Sequence, residues 1–210
     1  MATHRVIEGP AVLEVPKIKG SRFIASVAHT LHEQGAREHI AAVRKEHYAA
    51  RHVCWAFRTG EGGDFTRSSD DGEPSGSAGR PILAAIEGAG LTFVVVAVTR
   101  YFGGTKLGVG GLVRAYGGAA KEGLAVAGVR WVIPTLAVRV EVPYDRLGTL
   151  ETFCVREGVS RPQGEYGEQV SFVFHIPELE ASLFAGRLVD AGSGRIRVTV
   201  DSADEGCLTP

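Results

Sequence analysis

The run Arg100-Tyr101-Phe102-Gly103-Gly104-Thr105-Lys106-Leu107-Gly108-Val109-Gly110-Gly111-Leu112 has residue types and spacing suited to holding an anion. Glycines let backbone N–H groups come close to a ligand, and a helix that opens after such a loop favours negative charge at its start. Arg100 and Lys106 add cationic charge. The run lacks the Gly-Lys-Ser/Thr ending of a phosphate-binding P-loop, and Val113 stands where a dinucleotide fingerprint requires Gly or Ala. Two readings stay open: an anion or backbone contact site, using residues 103–111, or glycines demanded by tight turns and close helix packing.

A second segment, Ser68-Ser69-Asp70-Asp71-Gly72-Glu73-Pro74-Ser75-Gly76-Ser77-Ala78-Gly79-Arg80-Pro81, places three carboxylates within four residues. Such a cluster could hold a hard cation or do acid–base work, although the spacing is not that of an EF-hand loop. Asp, Ser, Gly and Pro are also turn formers, and an exposed loop has the same composition. The third segment is Arg51-His52-Val53-Cys54-Trp55-Ala56-Phe57. His52 and Cys54 lie two apart on one predicted strand, where they cannot relay a proton, so a structural histidine is expected.

The elements that carry these segments follow from periodicity. Arg22 to Ala28 and Val53 to Phe57 are predicted strands, and Phe93 to Val98 is a predicted buried central strand. Helices are predicted over Glu33 to Tyr48, with Ala36, Ile40 and Val43 inward, over Ile82 to Glu87 after Pro81, and over Gly110 to Val126. Leu112, Tyr116, Ala119 and Gly123 share one side of the last. The adjacent Gly117 and Gly118 each cost helix stability, and they predict a second backbone packed closely there.

Beyond Pro134 the pattern is β-α-β-β-α-β, the ferredoxin-like plan. The strands are 136–142, Val159–Arg161, Val170–Ile176 and Ile196–Val200; the helices are Tyr144–Glu157 and Glu178–Asp190, the second with Leu179, Leu183 and Leu188 as its apolar points. That topology sets the last strand beside the first, so Arg139, Arg195 and Arg197 are expected as a local basic patch. A partner or RNA surface and an ordinary solvated sheet face both fit it. Phe172 and Phe174 point inward, which disfavours base stacking on this sheet.

Composition bounds the rest. The 210 residues are 44% apolar and 22% charged, with a formal net charge of −1, as in an ordinary globular chain. No apolar run approaches the roughly 20 residues that span a bilayer, and no secretory signal is visible, so a soluble cytoplasmic protein is expected. Cys54, Cys154 and Cys207 are odd in number and far apart, which argues against disulfides and a cysteine zinc site. Residues 1–133 carry 16 Lys+Arg against 12 Asp+Glu, and residues 134–210 carry 7 against 12. The change of sign at Pro134 predicts an α+β chain of two domains, 1–133 and 134–204, with a tail at 205–210.

The segments Lys19 to Ile24, Ala50 to Arg58, Ser69 to Pro81 and Val94 to Gly118 resemble the IMPACT family. The combination of Val98-Thr99-Arg100-Tyr101-Phe102-Gly103-Gly104 with the Ser-Asp-Asp-Gly-Glu-Pro-Ser-Gly-Ser-Ala-Gly loop is its specific signature. The resemblance implies an N-terminal domain folded like the second domain of ribosomal protein five of the small subunit, followed by a ferredoxin-like domain. A similar pair occurs near the end of elongation factor G, and eukaryotic relatives act in translational control. It supplies no catalytic residues, cofactor or metal. The expected function is therefore non-enzymatic binding to ribosome, RNA or a translation-associated protein, with no membrane partner. The expected surface comprises Arg22, His52, Asp70, Asp71, Glu73, Arg100, Tyr101, Phe102, Gly103, Gly104, Lys106 and Gly108, with Arg139, Arg195 and Arg197 as a secondary one. The alternative is a phosphate-ligand enzyme of phosphotransferase or hydrolase type, with Asp70 or Asp71 assisting through a metal.

Overall fold

A computed structural model describes residues 3–201, so Cys207 and the tail expected at 205–210 lie outside the described residues. Two compact units meet in sequence at Val132/Ile133.

The first unit is built on β1 (His4–Ile7), β2 (Ala11–Ile18), β3 (Ser21–His29), α1 (Glu33–Glu46), β4 (His52–Thr59), β5 (Phe65–Ser69), α2 (Gly79–Gly88), β6 (Val94–Tyr101), α3 (Val109–Ala127) and β7 (Val129–Val132). Five strands form one antiparallel sheet in the order β2-β3-β6-β4-β5, and β1 pairs with β7 separately. The unbroken apolar run of β6 is explained by coverage on both faces. Val94, Val96 and Val98 join Phe23, Ala25 and Val27 in the main core with Ile82 and Ile86 of α2 and Leu112, Tyr116 and Ala119 of α3. Val95 and Ala97 meet Ala36, Ile40 and Val43 of α1 on the other side.

Close helix packing is found at Gly117, where an added Cβ would lie 3.5 Å from the Pro81 side chain, but Gly118 has nothing within 4 Å. The tight contact is instead at Gly123, where a Cβ would lie 2.8 Å from that of Ala25. Strands β2 and β5 are the sheet edges; β2 carries a register shift between Val15 and Ile18 that breaks its alternation, and β5 has no buried side chain.

The second unit comprises β8 (Thr135–Val142), a short 3-10 turn at Tyr144–Arg146, α4 (Leu147–Glu157), β9 (Glu165–Tyr166), β10 (Val170–Pro177), α5 (Glu178–Ala191) and β11 (Arg197–Val200). Sheet order β11-β8-β10-β9 with two helices is the ferredoxin-like arrangement. One expectation is corrected here. The second strand is β9, not Val159–Arg161: Gly158 takes φ 69 and the Val159 amide donates to the Cys154 carbonyl, so Val159 closes α4 in a Schellman-type turn. In α5, Leu188 is buried but Leu179 is 90% and Leu183 58% exposed. Ala181 and Phe184 take the inward positions, with the Phe184 ring against Phe153 and Phe174. No helix among the described residues is long and apolar enough to cross a membrane.

Candidate functional site

The loop between β5 and α2 folds around its own carboxylates. Ala78, at the N-cap of α2, has no side chain that could satisfy the open amides of the first turn. Asp70 does so from eight residues upstream. Its Oδ1 accepts from the Ala78 and Gly79 amides, both at 2.9 Å, and its Oδ2 accepts from Gly76 at 2.8 Å. The anion position at this helix end is thus filled by the chain itself. Gly79 is required there, because a Cβ would lie 2.7 Å from the Ser69 nitrogen.

Burial alone would raise the Asp70 pKa, but the amides of Gly76, Gly79 and Ala78, with Arg80 nearby, hold it below its ordinary 3.8. A carboxylate with a depressed folded pKa stabilises above its unfolded value and loses that contribution as pH falls through the folded one. Asp70→Asn is therefore expected to cost about 2 kcal/mol at neutral pH. The gap from wild type should close as pH drops below 3.8. Urea titration followed by tryptophan emission measures this, since Trp55 and Trp131 both lie in the first unit. A gap that stays constant down to acid would remove the capping role.

Asp71 pins the same loop to β4 and α1. It sits at φ 42, a conformation that Asp tolerates better than most residues. Its Oδ2 accepts from the Val53 amide at 2.6 Å and its Oδ1 from Arg44 at 2.9 Å, while His52 Nδ1 lies 2.8 Å from its carbonyl oxygen. His52 thus ties the start of β4 to the backbone of this loop.

Glu73 reaches the interior. Its Oε1 accepts from Arg100 Nη1 at 2.7 Å and from the Tyr116 hydroxyl at 2.8 Å, and the Glu73 and Arg100 side chains are only 4% and 7% exposed. The Arg100 guanidinium lies 5.7 Å from the Phe23 ring centre and 5.5 Å from that of Phe102. Ser21 Oγ lies 3.5 Å from Arg100 Nη2 and accepts from the Gly103 amide at 3.1 Å. Cys54 donates its thiol to the Asp70 carbonyl at 3.0 Å. Burial pushes that thiol up to about 12, with the three nearby carboxylates adding to the shift and Tyr116 opposing it. Burial, then Cys54 and Glu73, raises the Tyr116 phenol well above its ordinary range.

The structure thus brings the two motif segments together, but not as one open surface. Glu73 and Arg100 are buried against each other, and Asp70 and Asp71 are held by the backbone and Arg44. Gly103 packs on the β2–β3 turn: a Cβ there would collide with the carbonyl carbon of Gly20 and the nitrogen of Ser21. Phe102, Gly104, Lys106 and Gly108 face solvent, with Phe102 53% exposed. Tyr101 is half-buried; its hydroxyl lies 3.2 Å from His47 Nδ1, and Arg22 sits over its ring while bonding Glu14 at 2.7 Å. Tyr116, Ser21 and Arg44 are network members that sequence reading did not select. The signal for Tyr116 is its hydroxyl in a Leu, Ala and Gly stripe, since a buried hydroxyl needs a partner.

The expected basic patch on the second unit is corrected. Arg139 pairs with Asp201 at 2.9 Å, Arg197 with Glu141 at 3.0 Å and Arg195 with Asp145 at 3.3 Å. Glu141 faces Arg197 across the sheet, and Asp145 and Asp201 come from the segments that flank the strands. The adjoining depression is lined by Glu141, Glu165 and Glu168. Among the described residues no His, Cys, Asp and Glu cluster could hold a metal ion.

Residues 19–124, which include both motif segments, match the family model described as the Impact N-terminal domain. The chain belongs to the IMPACT family. The family extends through the second unit as well. An IMPACT family member of Haemophilus influenzae is 34% identical over 93% of this chain and 96% of its own length. The IMPACT family member YigZ of Escherichia coli is 33% identical over 92% of this chain and 96% of its own. A solved structure described as that of a hypothetical protein superposes with a TM-score of 0.64 at 30% identity, covering 97% of this chain and all of that one. In IMPACT terms, the signature carboxylates of this chain are framework, and the β6–α3 loop carries the exposed Phe102, Gly104, Lys106 and Gly108.

Proposed function

We propose that this IMPACT family chain is a non-enzymatic binding protein of translation or its regulation. It docks on the ribosome, on RNA or on a translation-associated protein, in the cytoplasm, through the surface around Arg22, Phe102, Gly104, Lys106 and Gly108. One observation carries the reading: the signature carboxylates and the Cys54 thiol, the groups best suited to acid, base or nucleophilic work, are engaged by the chain itself. Asp70 caps α2, Asp71 holds Val53 and Arg44, Glu73 neutralises Arg100, and Cys54 is buried and protonated. A phosphotransferase would need Arg100 free for phosphate and Asp70 or Asp71 free for metal, and those side chains are held elsewhere. Phe102 and Lys106 are left to meet something large.

The test is sedimentation with ribosomes over a salt series. The chain is expected in the ribosomal pellet at low salt and in the supernatant at high salt, because phosphate contacts weaken steeply as counterions are added. Absence from the pellet at the lowest salt would overturn the reading.

A further inference from the structure

We infer that the end of the first unit formed by the β2–β3 turn and the β6–α3 loop binds single-stranded RNA, phosphates on its lysines and a base on Phe102. The inference rests on the binding role proposed above and names the partner of that surface.

The contact between Gly20 and Gly103 fixes the geometry. A Cβ on Gly20 would lie 2.7 Å from the Gly103 carbonyl oxygen, and the Ser21 hydroxyl ties the two loops together. Lys17 at the end of β2, Lys19 in the turn and Arg22 at the start of β3 therefore belong to the segment that packs on the loop of Phe102 and Lys106. Arg114, one turn into α3, places Nη1 3.8 Å from where a Gly110 Cβ would sit, at the same end. Lys17, Lys19, Lys106 and Arg114 make no salt bridge among the described residues. The acids beside them are neutralised, Glu14 by Arg22 and Glu73 by Arg100. Four exposed cations without a salt bridge thus lie on the segments that meet at Gly20 and Gly103 and at the start of α3, within a unit whose surplus over acids is itself only four, 16 Lys+Arg against 12 Asp+Glu in residues 1–133.

The cations alone would suit any polyanion. Phe102 makes the distinction. It is 53% exposed and sits among charges, and the Arg100 guanidinium lies 5.5 Å from its ring centre, which orients it. A positive surface around an exposed aromatic ring is the arrangement by which single strands are held, with the backbone on the cations and an unstacked base on the ring. A duplex keeps its bases stacked and offers the ring nothing. The second unit provides no equivalent, because its arginines are paired with carboxylates.

The experiment titrates the full chain into a labelled single-stranded RNA of about a dozen nucleotides, within the length such sites cover, and reads fluorescence anisotropy. The same length of duplex RNA and inorganic polyphosphate serve as competitors. Lys17→Glu/Lys19→Glu/Lys106→Glu is expected to weaken binding by tenfold or more at low salt and to lower the salt slope by roughly two, at about 0.7 per phosphate contact. Phe102→Leu is expected to weaken single-strand binding by about tenfold, and Phe102→Trp to restore it, since stacking needs a flat ring. Unchanged urea midpoints show that these surface variants fold. If Phe102→Leu binds as tightly as wild type, or if duplex and polyphosphate compete equally with the single strand, the inference is overturned. Ribosomal sedimentation of the same preparations separates the two proposals. A chain that pellets with ribosomes yet ignores single-stranded RNA refutes this inference and leaves the binding role standing. A chain that does neither refutes both.

Discussion

Glu73→Gln is expected to destabilise the first unit by about 3–5 kcal/mol, a large share of the stability of a domain this size. The substitution barely changes shape. Gln keeps an oxygen for the Tyr116 hydroxyl, so the loss isolates the charge. What remains is a guanidinium only 7% exposed, bracketed by the Phe23 and Phe102 rings, with a neutral amide oxygen and Ser21 Oγ as its partners and no carboxylate to balance its charge. An unpaired buried charge is far more costly than a missing hydrogen bond. Removing both charges is a different experiment. Glu73→Leu/Arg100→Met is expected to recover most of the loss, because two ions no longer have to be taken out of water. Tryptophan emission in urea reports this unit alone, since both tryptophans lie in it. A cost for Glu73→Gln below about 1 kcal/mol would place the pair in the class of weak surface bridges and remove it as the link between the two signature loops.

The same pair shows what can and cannot be read from a sequence. Strand β6 and helices α1 and α3 are legible because burial writes a regular pattern along them. The order of elements in the second unit is legible for the same reason. Leu179 and Leu183 mislead because an exposed leucine has the same letter as a buried one, and only the packing of Phe184 against Phe153 and Phe174 sets the rotation of α5. Strand β2 alternates only from Ala11 to Val15 before its register shift, and β5 is five residues long with no buried side chain, so neither leaves a pattern long enough to read. In the site, the meeting of the carboxylate loop with the glycine loop is foreseeable from family resemblance. The direction of the carboxylates is not. Glu73 and Arg100 lie 27 residues apart, and nothing local tells whether an acid in a Gly-Pro-Ser loop turns outward to solvent or inward to a guanidinium. The same holds for Arg197, since sheet register sets Glu141 opposite it, while Arg139 and Arg195 meet Asp201 and Asp145 outside the paired strands.

Gly103→Ala is expected to cost about 3 kcal/mol and to abolish binding at the β6–α3 loop, while Gly104→Ala costs less. The two neighbours are glycine for different physical reasons. Gly104 has φ 91 and nothing within 4 Å, so an added methyl meets only backbone strain of about 1–2 kcal/mol. Gly103 is not in the left-handed region; its methyl would enter the space of the Gly20 and Ser21 backbone. Neither of those groups is the movable end of a side chain, so the turn itself must shift. That shift breaks the bond from the Gly103 amide to Ser21 Oγ, which also lies 3.5 Å from Arg100, and it carries Lys17 and Lys19 away from Phe102 and Lys106. Stability and binding should therefore fall together in Gly103→Ala, whereas Gly104→Ala should retain the turn and with it most of the affinity. Urea midpoints and RNA titrations on the two variants decide the matter. Equal losses would mean that flexibility of the loop, rather than contact with the β2–β3 turn, is what these glycines supply, and the convergence of the lysines with Phe102 would lose its structural cause.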